Sequence, residues 1–153
     1  MRLTEFIVYA KKRGYANIHK DTEVIKNLKT GSIKIIIRYG DWEYIDKYDG
    51  STAFMGREVV YFKGKPVWGM NYQGRIFIKA KEIKPEITAF LKKALLNVEE
   101  KKPFRGPQTF SDEEFSYMNS VHGPLHFFSG EEMISKRTGG MLYELRYNGG
   151  NLK

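Results

Sequence analysis

The chain has 153 residues, 41% hydrophobic and 29% charged, with a mean hydropathy of −0.51. That length suits one domain of about 100–200 residues. No apolar run nears the roughly 18 residues that span a bilayer, and Met1-Arg2 opens an amphipathic stretch rather than a signal peptide, so the expected setting is the cytoplasm, away from any membrane. The absence of cysteine excludes disulfides, thiolate metal sites and a cysteine nucleophile.

Leu3, Phe6, Ile7 and Ala10 recur at helical spacing, with Thr4 as a candidate cap and Gly14 as a stop. Residues 15–31 are polar and lack a clear period, which predicts a covering loop; Val24, Ile25 and Leu28 permit one short helical turn there. The period then switches to two. Ile33, Ile35, Ile37 and Tyr39 alternate with polar or outward positions, Gly40-Asp41 makes a two-residue turn, and Trp42, Tyr44, Asp46 and Tyr48 alternate on the return. This hairpin pairs 39 with 42, 37 with 44, 35 with 46 and 33 with 48, which places Asp46 on an apolar face opposite Ile35.

A second hairpin is expected from Arg57–Phe62 and Val67–Tyr72 around a turn at Lys63-Gly64-Lys65-Pro66; its register sets Glu58 near Asn71. A second helix starts at Pro85, with Ile87, Phe90, Leu91, Ala94, Leu95 and Val98 on one stripe. The segment 101–107, rich in Pro and Gly, is a linker. Strands follow over Phe115–Val121, Glu131–Lys136 and Met141–Tyr147.

The two strand blocks resemble each other. Tyr44, Gly50 and Phe54 match Tyr117, Gly123 and Phe127 at an offset of 73; Gly56 and Glu58 match Gly130 and Glu132 at 74; Tyr72 and Gly74 match Tyr147 and Gly149 at 75. Asp46 meets Asn119. Two copies are too few for a solenoid. The expected fold is therefore α+β, a single domain over 1–153 with pseudo-repeats at about 1–78 and 83–152. Its curved, mostly antiparallel sheet would carry both amphipathic helices on one face.

Gly40-Asp41-Trp42-x-Tyr44-x-Asp46-x-Tyr48-x-Gly50, Gly56-x-Glu58-Val59-Val60, Lys63-Gly64-Lys65-Pro66-Val67-Trp68-x-Met70-Asn71-Tyr72-x-Gly74 and Lys102-Pro103-Phe104-Arg105-Gly106-Pro107 together resemble an uncharacterised domain family of bacteria and archaea. Some of its members carry the domain behind a helix-turn-helix of the XRE type, for which this chain has no room. The resemblance implies an accessory or sensing unit and supplies no reaction and no catalytic residues.

Asp46 is the most informative residue, because a carboxylate on an apolar face is costly unless it is paired or hydrogen-bonded. It is read either as a ligand-orienting acceptor, with Asn119 as its counterpart, or as a structural acceptor for a Tyr hydroxyl or a backbone amide. Glu58 and Glu132 either meet at a pseudo-twofold axis and split their pKa values, or lie at exposed strand starts. His122 and His126 are separated by Gly123-Pro124, which forbids the helix that would align two metal ligands. Phosphate-loop, dinucleotide and nucleophile-elbow patterns are missing.

The leading expectation is a non-catalytic binding domain without a cofactor. Trp42, Tyr44, Trp68 and Tyr72 would wall an aromatic cleft, and Asp46, Glu58, Asn71, Asn119 and Glu132 would supply polar groups for a small, cationic or aromatic molecule or a short peptide. A rival is nucleic-acid binding, since 26 basic against 18 acidic residues leave +8 and a pI near 9.5; it would use Lys79, Lys81, Lys84, Lys92, Lys93, Lys101, Lys102 and Arg105. A third reading is a protein-interaction module or a homodimer formed through an open sheet face or an edge strand.

Overall fold

A computed structural model describes residues 1–153. Its frame is one nine-stranded antiparallel sheet with two helices, an α+β architecture. Helix α1 spans Leu3–Lys11 and α2 spans Lys84–Leu95. The strands are β1 (Glu23–Lys26), β2 (Ile33–Tyr39), β3 (Trp42–Gly50), β4 (Ala53–Phe62), β5 (Lys65–Ile76), β6 (Thr109–Ser111), β7 (Phe115–His122), β8 (Phe127–Lys136) and β9 (Met141–Asn151). Across the sheet they run β1-β2-β3-β4-β5-β9-β8-β7-β6.

The β2–β3 register follows from pattern and turn: Tyr39 faces Trp42, Ile37 faces Tyr44 and Ile35 faces Asp46. A slip of one residue would turn every apolar side chain of the hairpin outward. The next hairpin is tighter than its Pro suggests. Lys63 (φ 50°) and Gly64 (φ 75°) form a two-residue turn, and Pro66 already lies in β5. With an irregularity between Val60 and Tyr61, this sets Glu58 opposite Met70 rather than Asn71. Asn71 consequently faces outward beside Arg57, which corrects the expected neighbour of Glu58.

Three further expectations change. Thr4 lies inside α1, its hydroxyl donating to Glu100 at 2.8 Å, and the helix starts where Glu5 accepts the Arg2 backbone N–H at 2.6 Å. Residues 23–26 of the expected loop pair with β2 as an edge strand, too short and too exposed to show an apolar alternation. Phe127 points outward at 81% exposed, while Phe128 takes the inward position opposite Gly149, as Phe54 does opposite Gly74.

The inward sheet residues belong to one apolar cluster that includes the buried stripes of both helices. Phe6 of α1 stacks on Trp42 at 5.3 Å; Phe90 of α2 packs on Phe115 at 5.3 Å and on Phe110 at 5.6 Å. Aromatic pairs at these separations contribute beyond their buried area. Neither helix is long and apolar enough to cross a membrane.

Candidate functional site

Polar side chains interrupt this core. On β4, Glu58 is 3% exposed; on β8, Glu132 is fully buried. A buried carboxylate persists only when cations and hydrogen bonds replace water. Glu58 receives Lys11 Nζ, from the last turn of α1, at 2.9 Å, and the Tyr44 hydroxyl. Glu132 receives Arg105 through two bonds of 2.9 and 3.1 Å, the Tyr117 hydroxyl at 2.5 Å and the Tyr143 hydroxyl at 2.6 Å. Burial opposes ionisation of Glu132, but the Arg105 guanidinium and the two tyrosine hydroxyls outweigh it and hold the pKa below the usual range. Lys11 is shifted down, because loss of water outweighs its attraction to Glu58.

The two glutamates do not meet. Strands β5 and β9 stand between β4 and β8, three sheet spacings or roughly 14 Å of backbone. Nor are they exposed strand starts: each sits mid-strand in the core with its own cation.

Asp46 on β3 lies opposite Glu58 and is 6% exposed. Its Oδ1 accepts the Tyr72 hydroxyl at 2.6 Å. Gly56 makes that contact sterically feasible, because any Cβ there would collide with the Tyr72 ring and with Tyr48. The second oxygen, Oδ2, accepts nothing from the protein, yet no enclosed side-chain oxygen lacks a partner. Oδ2 therefore opens into the adjoining cavity.

That cavity measures about 430 Å³, within the range of small-molecule sites. Tyr44, Asp46, Glu58 and Tyr72 line its sheet side, with Lys11, Arg105 and Tyr143 beside them; Tyr15, Tyr48, Phe54 and the α2 residues Ile87, Leu91 and Leu95 form the walls. Lys26, Gly31, Gly50 and Ser51, all exposed, mark the rim together with half-buried Lys84. Burial and then the nearby Glu58 charge push the Asp46 carboxyl up to about 7, against the Tyr72 hydrogen bond and the Arg105 and Lys11 cations. Tyr48 is raised to about 12 by burial and by Asp46. In formal charges, Lys11 and Arg105 face Asp46, Glu58 and Glu132: two cations against three carboxylates.

Residues 46–152 match the model of a family described as "Domain of unknown function (DUF5680)". The chain belongs to that family. The matched stretch begins at Asp46 and takes in Glu58, Tyr72, Arg105, Glu132 and Tyr143, whereas Lys11 and Tyr15 precede it. No curated protein and no solved structure matches the chain.

The remaining candidates stand elsewhere. Trp68 is fully buried and donates its indole N–H to the Leu125 carbonyl at 3.1 Å. Trp42 is half-buried between Phe6 and Phe62. Asn119 is buried with Tyr147 and Gly106, away from the cavity. Of the basic set, Lys79, Lys81, Lys93, Lys101 and Lys102 are exposed. Lys92 lies over the Tyr15 ring at 5.0 Å, Lys84 bonds Ser51, and Arg105 is enclosed with Glu132, so its charge is spent inside the core. Sequence reasoning missed Lys11, Tyr15 and Tyr143 as cavity residues. Tyr143 had a signal in its strand alternation; Lys11 had none, since its partner lies 47 positions away.

Proposed function

We propose that the chain is a non-catalytic binding domain whose cavity takes a small molecule through a protonated amine set against Asp46. A single observation carries this reading: a buried carboxylate turns an unpartnered oxygen into a cavity, within a cluster that has one carboxylate more than it has cations. Charges out of water need compensation. Without ligand, a proton on Asp46 supplies it; an ammonium at Oδ2 would replace that proton. The phenol ring of Tyr48 offers the electron-rich face that cations prefer, and that of Tyr72 already faces a cation, the Arg105 guanidinium at 5.5 Å.

The cavity's placement supports reading the two meanders as copies within one domain. β3-β4-β5 and β7-β8-β9 are joined along β5 and β9, where Tyr72 faces Tyr147, and each meander carries one register irregularity, after Val60 and after Ile134. On this reading α1 and α2 cover the same sheet face, and the cavity is the space between the first copy and α2. It fits an accessory, sensing unit.

A thermal-shift titration with primary amines of graded size, at a pH near 6 where Asp46 still carries its proton, tests the function. Binding should raise Tm in the parent protein and release a proton into a weakly buffered solution. Asp46→Asn should abolish both effects. Stabilisation that survives Asp46→Asn would remove the carboxylate from the site.

A further inference from the structure

We infer that the ligand is amphoteric, carrying an anionic group such as a carboxylate at the far end from its amine, with the amine held at Asp46 and the anion at Lys26 and Lys84. This rests on the proposed cation site and adds the polarity of the ligand's other end. The cavity has opposite signs at its two ends. At the sheet side the unpartnered group is an acid; Glu58, the other acid lining the cavity, already receives Lys11 and Tyr44. At the rim the charged lining groups are the two lysines, in company with Gly31, Gly50 and Ser51; the two carboxylates that line the cavity, Asp46 and Glu58, are on its sheet side.

Lys26 comes from the edge strand β1 and Lys84 from the first residue of α2, so two distant segments converge on one opening. The Lys84 ammonium donates to the Ser51 hydroxyl, a neutral acceptor that leaves its charge uncompensated. α2 also begins at this rim with no side chain capping its first amides, and its dipole adds positive potential there. A ligand bearing only cations, such as a diamine, would pass two lysines with nothing to offset their repulsion. A molecule with an amine at one end and an anion at the other meets a complement at each end. At about 430 Å³ the space suits a compound of free-amino-acid or small-metabolite size rather than a peptide.

Calorimetric titration of the full chain with matched compounds tests this. The set comprises straight-chain and aryl amino acids of graded length, their methyl esters, which keep the amine and lose the anion, the corresponding acids without the amine, and diamines. The best amino acid should bind at least tenfold more tightly than its ester or than any diamine. Lys26→Ala combined with Lys84→Ala should lower the amino acid's affinity and erase its advantage over the ester, whose own affinity should rise as the repulsion from the two lysines is removed; both positions lie on the surface side of the cavity, and circular dichroism checks that the fold is kept. An ester or diamine that binds as tightly as the amino acid, with binding lost in Asp46→Asn, overturns the two-ended ligand and leaves the cation site standing. Acids that bind as tightly as the amino acid without an amine, or a set in which nothing binds, overturn both.

Discussion

Asp46 and Asn119 each sit opposite a glutamate on the neighbouring strand, and each accepts a tyrosine hydroxyl reaching over a glycine: Tyr72 over Gly56, and Tyr147 over Gly130. Their surroundings then diverge. Beside Asn119 the segment 103–106 is packed inward; the Asn119 amide donates to the Gly106 carbonyl at 3.1 Å, and the Gly106 N–H donates to the Tyr117 hydroxyl at 3.0 Å. There the neutral amide has a donor for the carbonyl it meets. Beside Asp46 no segment plugs the space, and the carboxylate keeps an oxygen for whatever enters. The difference teaches that a charge is carried where the fold is open and an amide where it is closed. Packing requirements do not explain the acid, because its counterpart shows that an amide completes the tyrosine contact equally well.

The largest expected effect concerns the two buried cations. Arg105→Ala would leave Glu132 fully enclosed and unpaired, at a cost of about 3–5 kcal/mol. Lys11→Ala removes the cation of Glu58, which lines the open cavity where solvent can reach it. About half the loss is expected. Urea denaturation of both variants measures it, and equal losses would break the contrast between a closed half and an open one.

Next comes Asn119→Asp. It deletes the donor to the Gly106 carbonyl and sets a carboxylate oxygen against that carbonyl in a closed space. A buried acceptor left unsatisfied costs about 1–3 kcal/mol, so the urea midpoint should fall by the equivalent amount at neutral pH. A variant as stable as the parent would mean that the second half is as open as the first.

Much of this was legible in the sequence, for reasons that differ by element. The β2–β3 hairpin combines a strict two-residue period with a Gly-Asp turn, and these alone place Asp46 on the inner face. Two things were not readable. Turn length around Pro66 decided which face Asn71 took, and Pro is compatible with both a turn and a strand start. The partners of the glutamates came from α1 and from the linker, Lys11 and Arg105, through tertiary contacts that leave no local pattern. The cavity itself is a lack of packing, and composition and periodicity carry no trace of it.

The smallest expected effect is the most specific. The Asp46 carboxyl titrates near 7 in the folded chain against an ordinary 3.8, so the folded state holds its proton more tightly than the unfolded state does. The stabilising contribution of that proton is complete below about pH 4 and is lost as pH climbs through about 7. Asp46→Asn has no such proton to lose. Its stability relative to the parent should therefore rise between about pH 4 and pH 7 and stay level above that range. Each pH unit of displacement is worth about 1.4 kcal/mol, but solvent entering the cavity screens much of it, leaving about 1–2 kcal/mol. Denaturation of the two proteins side by side across that range reads the difference directly. A constant offset would show that Asp46 stays ionised throughout, so that the cluster needs no further cation. Asn119→Asp, measured on the same pH series, sharpens the point: in the closed half the introduced acid should titrate higher still, with its destabilisation growing toward neutral pH.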